Sequence, residues 1–95
     1  RYLARLATRQ GKNEEAREYL HEALIHDPMD AFSLHLLAKL YLDNGEDPSI
    51  AESLARQSVA LRPDQKRFWL ELARAFETGG KRDDAIKARM RAEHL

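Results

Sequence analysis

A chain of 95 residues is one small domain at most, and at this size folding buries only about 60–70% of the surface the unfolded chain exposes, so its core is thin. Sixteen basic and sixteen acidic side chains cancel, which argues against a dedicated nucleic-acid binder, where excess positive charge supplies the phosphate affinity. With no Cys there is neither a disulfide framework nor a thiolate zinc site, and no apolar run approaches the roughly 20 residues that span a bilayer.

The N-terminus lacks a signal-peptide pattern. The chain is expected to be soluble; its residues leave the compartment open, with the cytoplasm as the default. It opens at Arg1 with the helical pattern already running at Tyr2 and Leu3, which reads as an excerpt of a longer chain. Taken in order, the elements repeat. Leu3-Ala4-Arg5, Leu37-Ala38-Lys39 and Leu72-Ala73-Arg74 are 34 and 35 residues apart, Gly11, Gly45 and Gly80 keep the same step, and Pro28 and Pro63 are 35 apart. Leu54-Ala55-Arg56 stands off this beat and is a coincidence of composition.

Each unit reads as two helices around a Gly turn. Leu34, Leu37, Ala38 and Tyr41 in the middle unit, and Trp69, Leu72, Ala73 and Phe76 in the last, are spaced 0, 3, 4 and 7 and share one helical face. Helix-start signals follow each Gly: Asn13 before Glu14 and Glu15, Asp47 before Pro48, and Asp83 with Asp84. The second helices carry Ala16, Leu20 and Ala23, then Ala51, Ala55 and Ser58, then Ala85, Arg89 and Ala92. Pro28 and Pro63 end the first two, and Asp30 and Asp64 are placed to cap what comes next. Small residues at Ala38, Ala51, Ala73 and Ala85 predict close helix packing. One extra residue lies between Gly45 and Ala51, in the turn around Glu46 and Asp47.

Trp69-x-x-Leu72-Ala73-x-x-Phe76 followed by Ala85, with Leu37-Ala38-x-x-Tyr41, Ala51 and Pro63, resembles the tetratricopeptide repeat, whose period is 34 residues. The resemblance covers nearly the whole chain. It implies an all-α fold, an α-solenoid of stacked antiparallel helical hairpins with about two and a half to three repeats, in units of about 1–28, 29–63 and 64–95. Ala4, Ala38 and Ala73 stand where the family usually has Gly. Arg89 stands where it has a large apolar residue, which suits a solvent-facing end of the stack or a stem laid over apolar neighbours.

No reaction is proposed by the residues. His21-Glu22-x-x-x-His26 places its two imidazoles about 140° apart around a helix, whereas a zinc pair needs one turn. Gly79-Gly80-Lys81 lacks the earlier Gly, the following Ser or Thr and the strand of a phosphate loop. Ser33, Ser49, Ser53 and Ser58 have no partner spacing for nucleophilic chemistry. No cofactor or metal is expected, nor any nucleic-acid partner or insertion into a membrane.

The resemblance also implies that the first helices line a concave binding face, with the residue after each small Ala looking into it. These are Arg5, Lys39 and Arg74, a ladder of three cations about 10 Å apart, or roughly three residues of an extended peptide. Arg1, His35 and Leu70 lie one turn before the ladder, and Thr8, Leu42 and Glu77 one turn after. Phe32 and Arg67 stand at the leading ends of their helices, and Arg9, Asp43 and Thr78 at the trailing ends. Phe32, Leu42 and Leu70 are the expected apolar anchors. The predicted partner is a protein or peptide segment, acidic in part. The family's chaperone-tail clamp has Asn where this chain has Arg5 and Lys39, and Lys in place of Leu70, so that subtype fits poorly. The plainer reading is that the ladder is ordinary solvated helix surface. The alternatives are a structural spacer, a self-assembly element joined through apolar surface at Tyr2, Leu3 and Leu6, or an accessory domain of a larger enzyme.

Overall fold

Asp30 and Asp47 show how the chain punctuates itself in the computed structural model, which describes residues 13–95. The Asp30 carboxylate accepts from the Ser33 backbone N–H at 3.3 Å and its hydroxyl at 2.7 Å. Asp47 does the same for Ser49, at 2.9 Å each. Caps of this kind are worth about 1 kcal/mol. They open α2 (Ala31–Asp43) and α3 (Pro48–Leu61). Around these lie α1 (Asn13–His26), α4 (Lys66–Thr78) and α5 (Arg82–Glu93), and no strand occurs among the described residues. Asp64, expected to cap α4, is turned to Arg62 at 3.3 Å instead. Gln65 holds the N-cap position without a side-chain bond.

The two Gly turns are built alike. The Glu46 N–H reaches the Tyr41 carbonyl at 3.0 Å and the Gly45 N–H reaches Leu42 at 3.1 Å; Lys81 and Gly80 repeat this onto Phe76 and Glu77. This is the Schellman closure, which needs a left-handed residue, and Gly45 and Gly80 have φ of 68° and 80°. A Cβ at either would meet nothing within 4 Å, so Gly80→Ala should cost only the backbone strain, about 1 kcal/mol. That corresponds to a melting point lower by about 4–8 °C, readable by calorimetry.

Helix α3 begins three residues after Gly45 and α5 two after Gly80. The extra residue of the middle unit is accounted for by Asp47, the cap that the Gly80 turn lacks. Glu46 and Lys81 hold the same place in their turns and face the preceding second helix. Glu46 takes Arg17, while Lys81 takes Glu52 at 2.8 Å. The pairs have opposite polarity, so a slip by one unit would set Arg17 against Lys81 and Glu52 against Glu46.

Small residues let the helices approach: Ala38, Ala51, Ala73 and Ala85 are all at most 1% exposed. Leu34, Leu37, Leu72, Phe68 and Phe76 fill the space between them. Consecutive helices pack in antiparallel succession, and α2 also packs beside α4; α3 and α5 make no backbone-level contact with each other. The stack therefore has an inner side where α2 and α4 meet and an outer side that opens. Among the described residues no helix is long and apolar enough to cross a membrane.

Candidate functional site

On the inner side, where α2 lies beside α4, His35, Leu36 and Lys39 face Arg67, Leu70, Glu71 and Arg74 across a groove of about 490 Å³. The fourfold spacing of His35 and Lys39, and of Leu70 and Arg74, brings each pair onto one face of its helix. Lys39, Arg67 and Arg74 are exposed, and Leu70 is 44% exposed.

Two of the three cations are already engaged. Asp43 receives Lys39 Nζ at 2.8 Å and Arg74 Nη2 at 2.7 Å, and Arg74 Nη1 reaches Glu71 at 3.1 Å. Burial alone would raise the pKa of Asp43, but hydrogen bonds from Lys39 and then Arg74 outweigh it and hold the carboxyl below its ordinary value. Glu71 goes the other way. It is 8% exposed, and burial pushes its pKa up despite the attraction of Arg74. Arg67 has no ion-pair partner among the described residues, so it is the free charge of the groove.

His35 forms part of the groove floor. Its ring stacks on Phe68, centroids 4.7 Å apart and planes 28° from parallel. Burial, helped by the nearby Arg67 and Lys39 charges, lowers its pKa from 6.5 to about 4. At neutral pH it is an uncharged aromatic surface. Between these two values the unfolded chain binds a proton that the folded one refuses, so His35 contributes stability that is lost as pH falls from about 6.5 to about 4. Glu71, with its raised pKa, has the opposite sign. The loss of stability on acidification through this window should therefore be smaller in His35→Gln than in the parent protein, as measured by urea unfolding at stepped pH; equal losses would contradict the assignment.

Other predicted positions fall differently. Leu42 is 7% exposed and belongs to the core, leaving it little surface as an anchor. Phe32 is half-buried, edge-on to Phe68 at 5.1 Å with the Arg62 guanidinium 5.8 Å above it, and so extends the core rather than standing free. Arg89 bonds Glu77, and the Thr78 hydroxyl donates to the Arg74 carbonyl at 2.8 Å. Arg1, Arg5, Thr8 and Arg9 lie outside the described residues. Glu71 and Leu36 were not singled out from the sequence, nor was the double pairing of Asp43. The signals were there in outline, since Asp43 is four residues after Lys39 and Glu71 three before Arg74, both helical ion-pair spacings. His21 and His26 are exposed on α1, and no cluster of three His, Asp or Glu side chains suited to a metal occurs among the described residues.

Comparison with known proteins gives the same architecture. The tetratricopeptide repeat family model matches residues 2–47 and 35–93. Similar solved structures include MamA, 22% identical with a TM-score of 0.88 over 97% of this chain and 53% of that one. The second tetratricopeptide domain of Spaghetti (RPAP3), bound to the HSP90 peptide SRMEEVD, is 21% identical with a TM-score of 0.91 over 97% and 84% of the two chains. The globular C-terminal domain of P. aeruginosa LpoP is 29% identical with a TM-score of 0.85 over 97% and 90%. The present chain spans about half the length of the MamA chain. No curated protein matches it. With a family match over nearly every residue and two helical hairpins closed by the same Gly turn, the chain belongs to the tetratricopeptide repeat family.

Proposed function

We propose that the protein is a non-catalytic interaction scaffold that holds an extended, partly acidic peptide in the groove between α2 and α4. The observation that carries this reading is the convergence of Lys39, Arg67 and Arg74 on one groove with Leu70 and neutral His35 between them. Three cations against Asp43 and Glu71 leave the groove one charge positive in a chain whose total is zero. A ligand carboxylate meets Arg67 first and then competes with Asp43 for Lys39 and Arg74, while an apolar side chain covers Leu70. The peptide SRMEEVD held by the RPAP3 domain is acidic in the same sense, and it lends support to the choice of ligand.

Asp43 then acts as an internal competitor. Asp43→Asn should tighten binding of an acidic peptide about fivefold, because removing one competing carboxylate from a half-exposed pair is worth about 1 kcal/mol, and the gain should shrink as salt is raised. Calorimetric titration of a peptide with carboxylates about three residues apart, and of its Asn and Gln counterpart, tests both statements. Equal affinity for the two peptides, or for the parent and a Lys39→Ala, Arg67→Ala, Arg74→Ala variant of unchanged helicity, would overturn the reading.

A further inference from the structure

The outer side of the stack carries a second cleft. Because α2 and α4 touch while α3 and α5 do not, a wedge opens over α4, with Trp69, Leu72 and Phe76 lining it from below, Met90 on the α5 side, and a volume of about 540 Å³. Met90 is 51% exposed. The Trp69 indole N–H is committed to the Pro63 carbonyl at 2.8 Å, which fixes the ring and leaves it only apolar surface to offer.

The chain supplies its own control for this cleft. The matching wedge one unit earlier lies between α1 and α3, and there Leu54 occupies the place that Ala88 holds on α5. Leu54 packs against both core clusters, so the earlier wedge has a branched apolar side chain at the place where the later one has only a methyl group. The rim changes too: Ser53 and Gln57 of α3 are matched on α5 by Lys87 and Arg91. Arg91 lies 4.9 Å over the Trp69 ring and Arg56 lies 5.1 Å over Phe76. Lys87 and Arg91 have no ion-pair partner among the described residues, and only Asp84 adds negative charge to the lining.

We infer that this outer cleft is a docking site, separate from the inner groove, for a short protein segment with one aromatic or large aliphatic side chain flanked by carboxylates. The apolar side chain takes the space left by Ala88, against Trp69 and Met90. The carboxylates meet Lys87 and Arg91, whose positions along α5, one turn apart, set the flanking spacing. Charge complementarity selects an acidic flank over a basic one.

Trp69 is the single tryptophan of the chain, so its emission reports directly on occupancy. The probe is a blocked pentapeptide with a central Phe between Asp and Glu pairs, set beside one with Asn and Gln flanks and one with Ala at the centre. The acidic Phe peptide should change Trp69 emission saturably, and either counterpart should bind at least about tenfold more weakly, the factor that 1.4 kcal/mol represents. Ala88→Leu, which imports the Leu54 solution, should abolish the response; Lys87→Gln with Arg91→Gln, a surface change, should weaken it about tenfold, and the Lys39→Ala, Arg67→Ala, Arg74→Ala variant should keep it. Absence of a saturable response, an affinity unchanged by Lys87→Gln with Arg91→Gln, or loss of binding in the inner-groove variant would each overturn the proposal.

Discussion

Phe68→Ala is expected to lower the unfolding free energy by about 3–5 kcal/mol, the range for removing a buried aromatic ring. Phe68 is 1% exposed and among the largest fully buried side chains described. Its ring touches Phe32 edge-on and His35 face-on, so truncation opens a cavity where α2 meets α4 and takes a ring contact from each neighbour. Collapse into that space is opposed by the Ala-lined approach of the helices around it. The melting point should fall by more than about 10 °C, given about 4–8 °C per kcal/mol in a domain of this size. Leu70→Ala, two residues on and 44% exposed, should cost less than about 1 kcal/mol. Similar losses for the two would mean that Phe68 does not hold the inner side together.

Ala73→Leu should also destabilise the fold, by adding volume to the core and not by removing it. Ala73 is 1% exposed within a cluster that also holds Ala38, Ala51 and Ala85. Three added carbons cannot be placed there without separating helices or forcing strained rotamers, and overpacking of this kind typically costs about 1–3 kcal/mol. The matched control is Ala60→Leu on the exposed face of α3, which should fall within about 0.5 kcal/mol of the parent. Urea unfolding of both variants measures the difference; a neutral Ala73→Leu would show that the small residues are not required for close packing.

Those alanines were legible in the sequence because they recur with the period, and the period is a property of one-dimensional order. The turns were legible for a related reason: Gly45 and Gly80 answer a local demand for positive φ, and Asp30 and Asp47 satisfy N–H groups within three residues of themselves. The core contribution of Leu42 was also within reach, since it lies four residues past Ala38 and so about 40° from it around the helix. Phe32 was not, because what half-buries it is Phe68 and Arg62, some 30 residues away. The groove electrostatics were only half visible. Spacing shows that Asp43 can meet Lys39, but it takes the α2 to α4 packing to bring Arg74 to the same carboxylate. Burial of Glu71 between two helices likewise has no signature in its neighbours along the chain. The outer cleft follows from departures from repetition, Ala88 where the preceding unit has Leu54, and Lys87 and Arg91 where it has Ser53 and Gln57, which gain meaning once the helices on that side are seen to part.

The claim that the inner groove is the peptide site is tested most directly by mapping amide chemical-shift changes in a nuclear magnetic resonance titration with an acidic extended peptide lacking aromatic residues. The account predicts that the largest changes fall on His35, Lys39, Arg67, Leu70 and Arg74 and diminish in parallel as salt is raised. Changes confined to Trp69, Lys87, Met90 and Arg91, or to the ends of the stack, would contradict it.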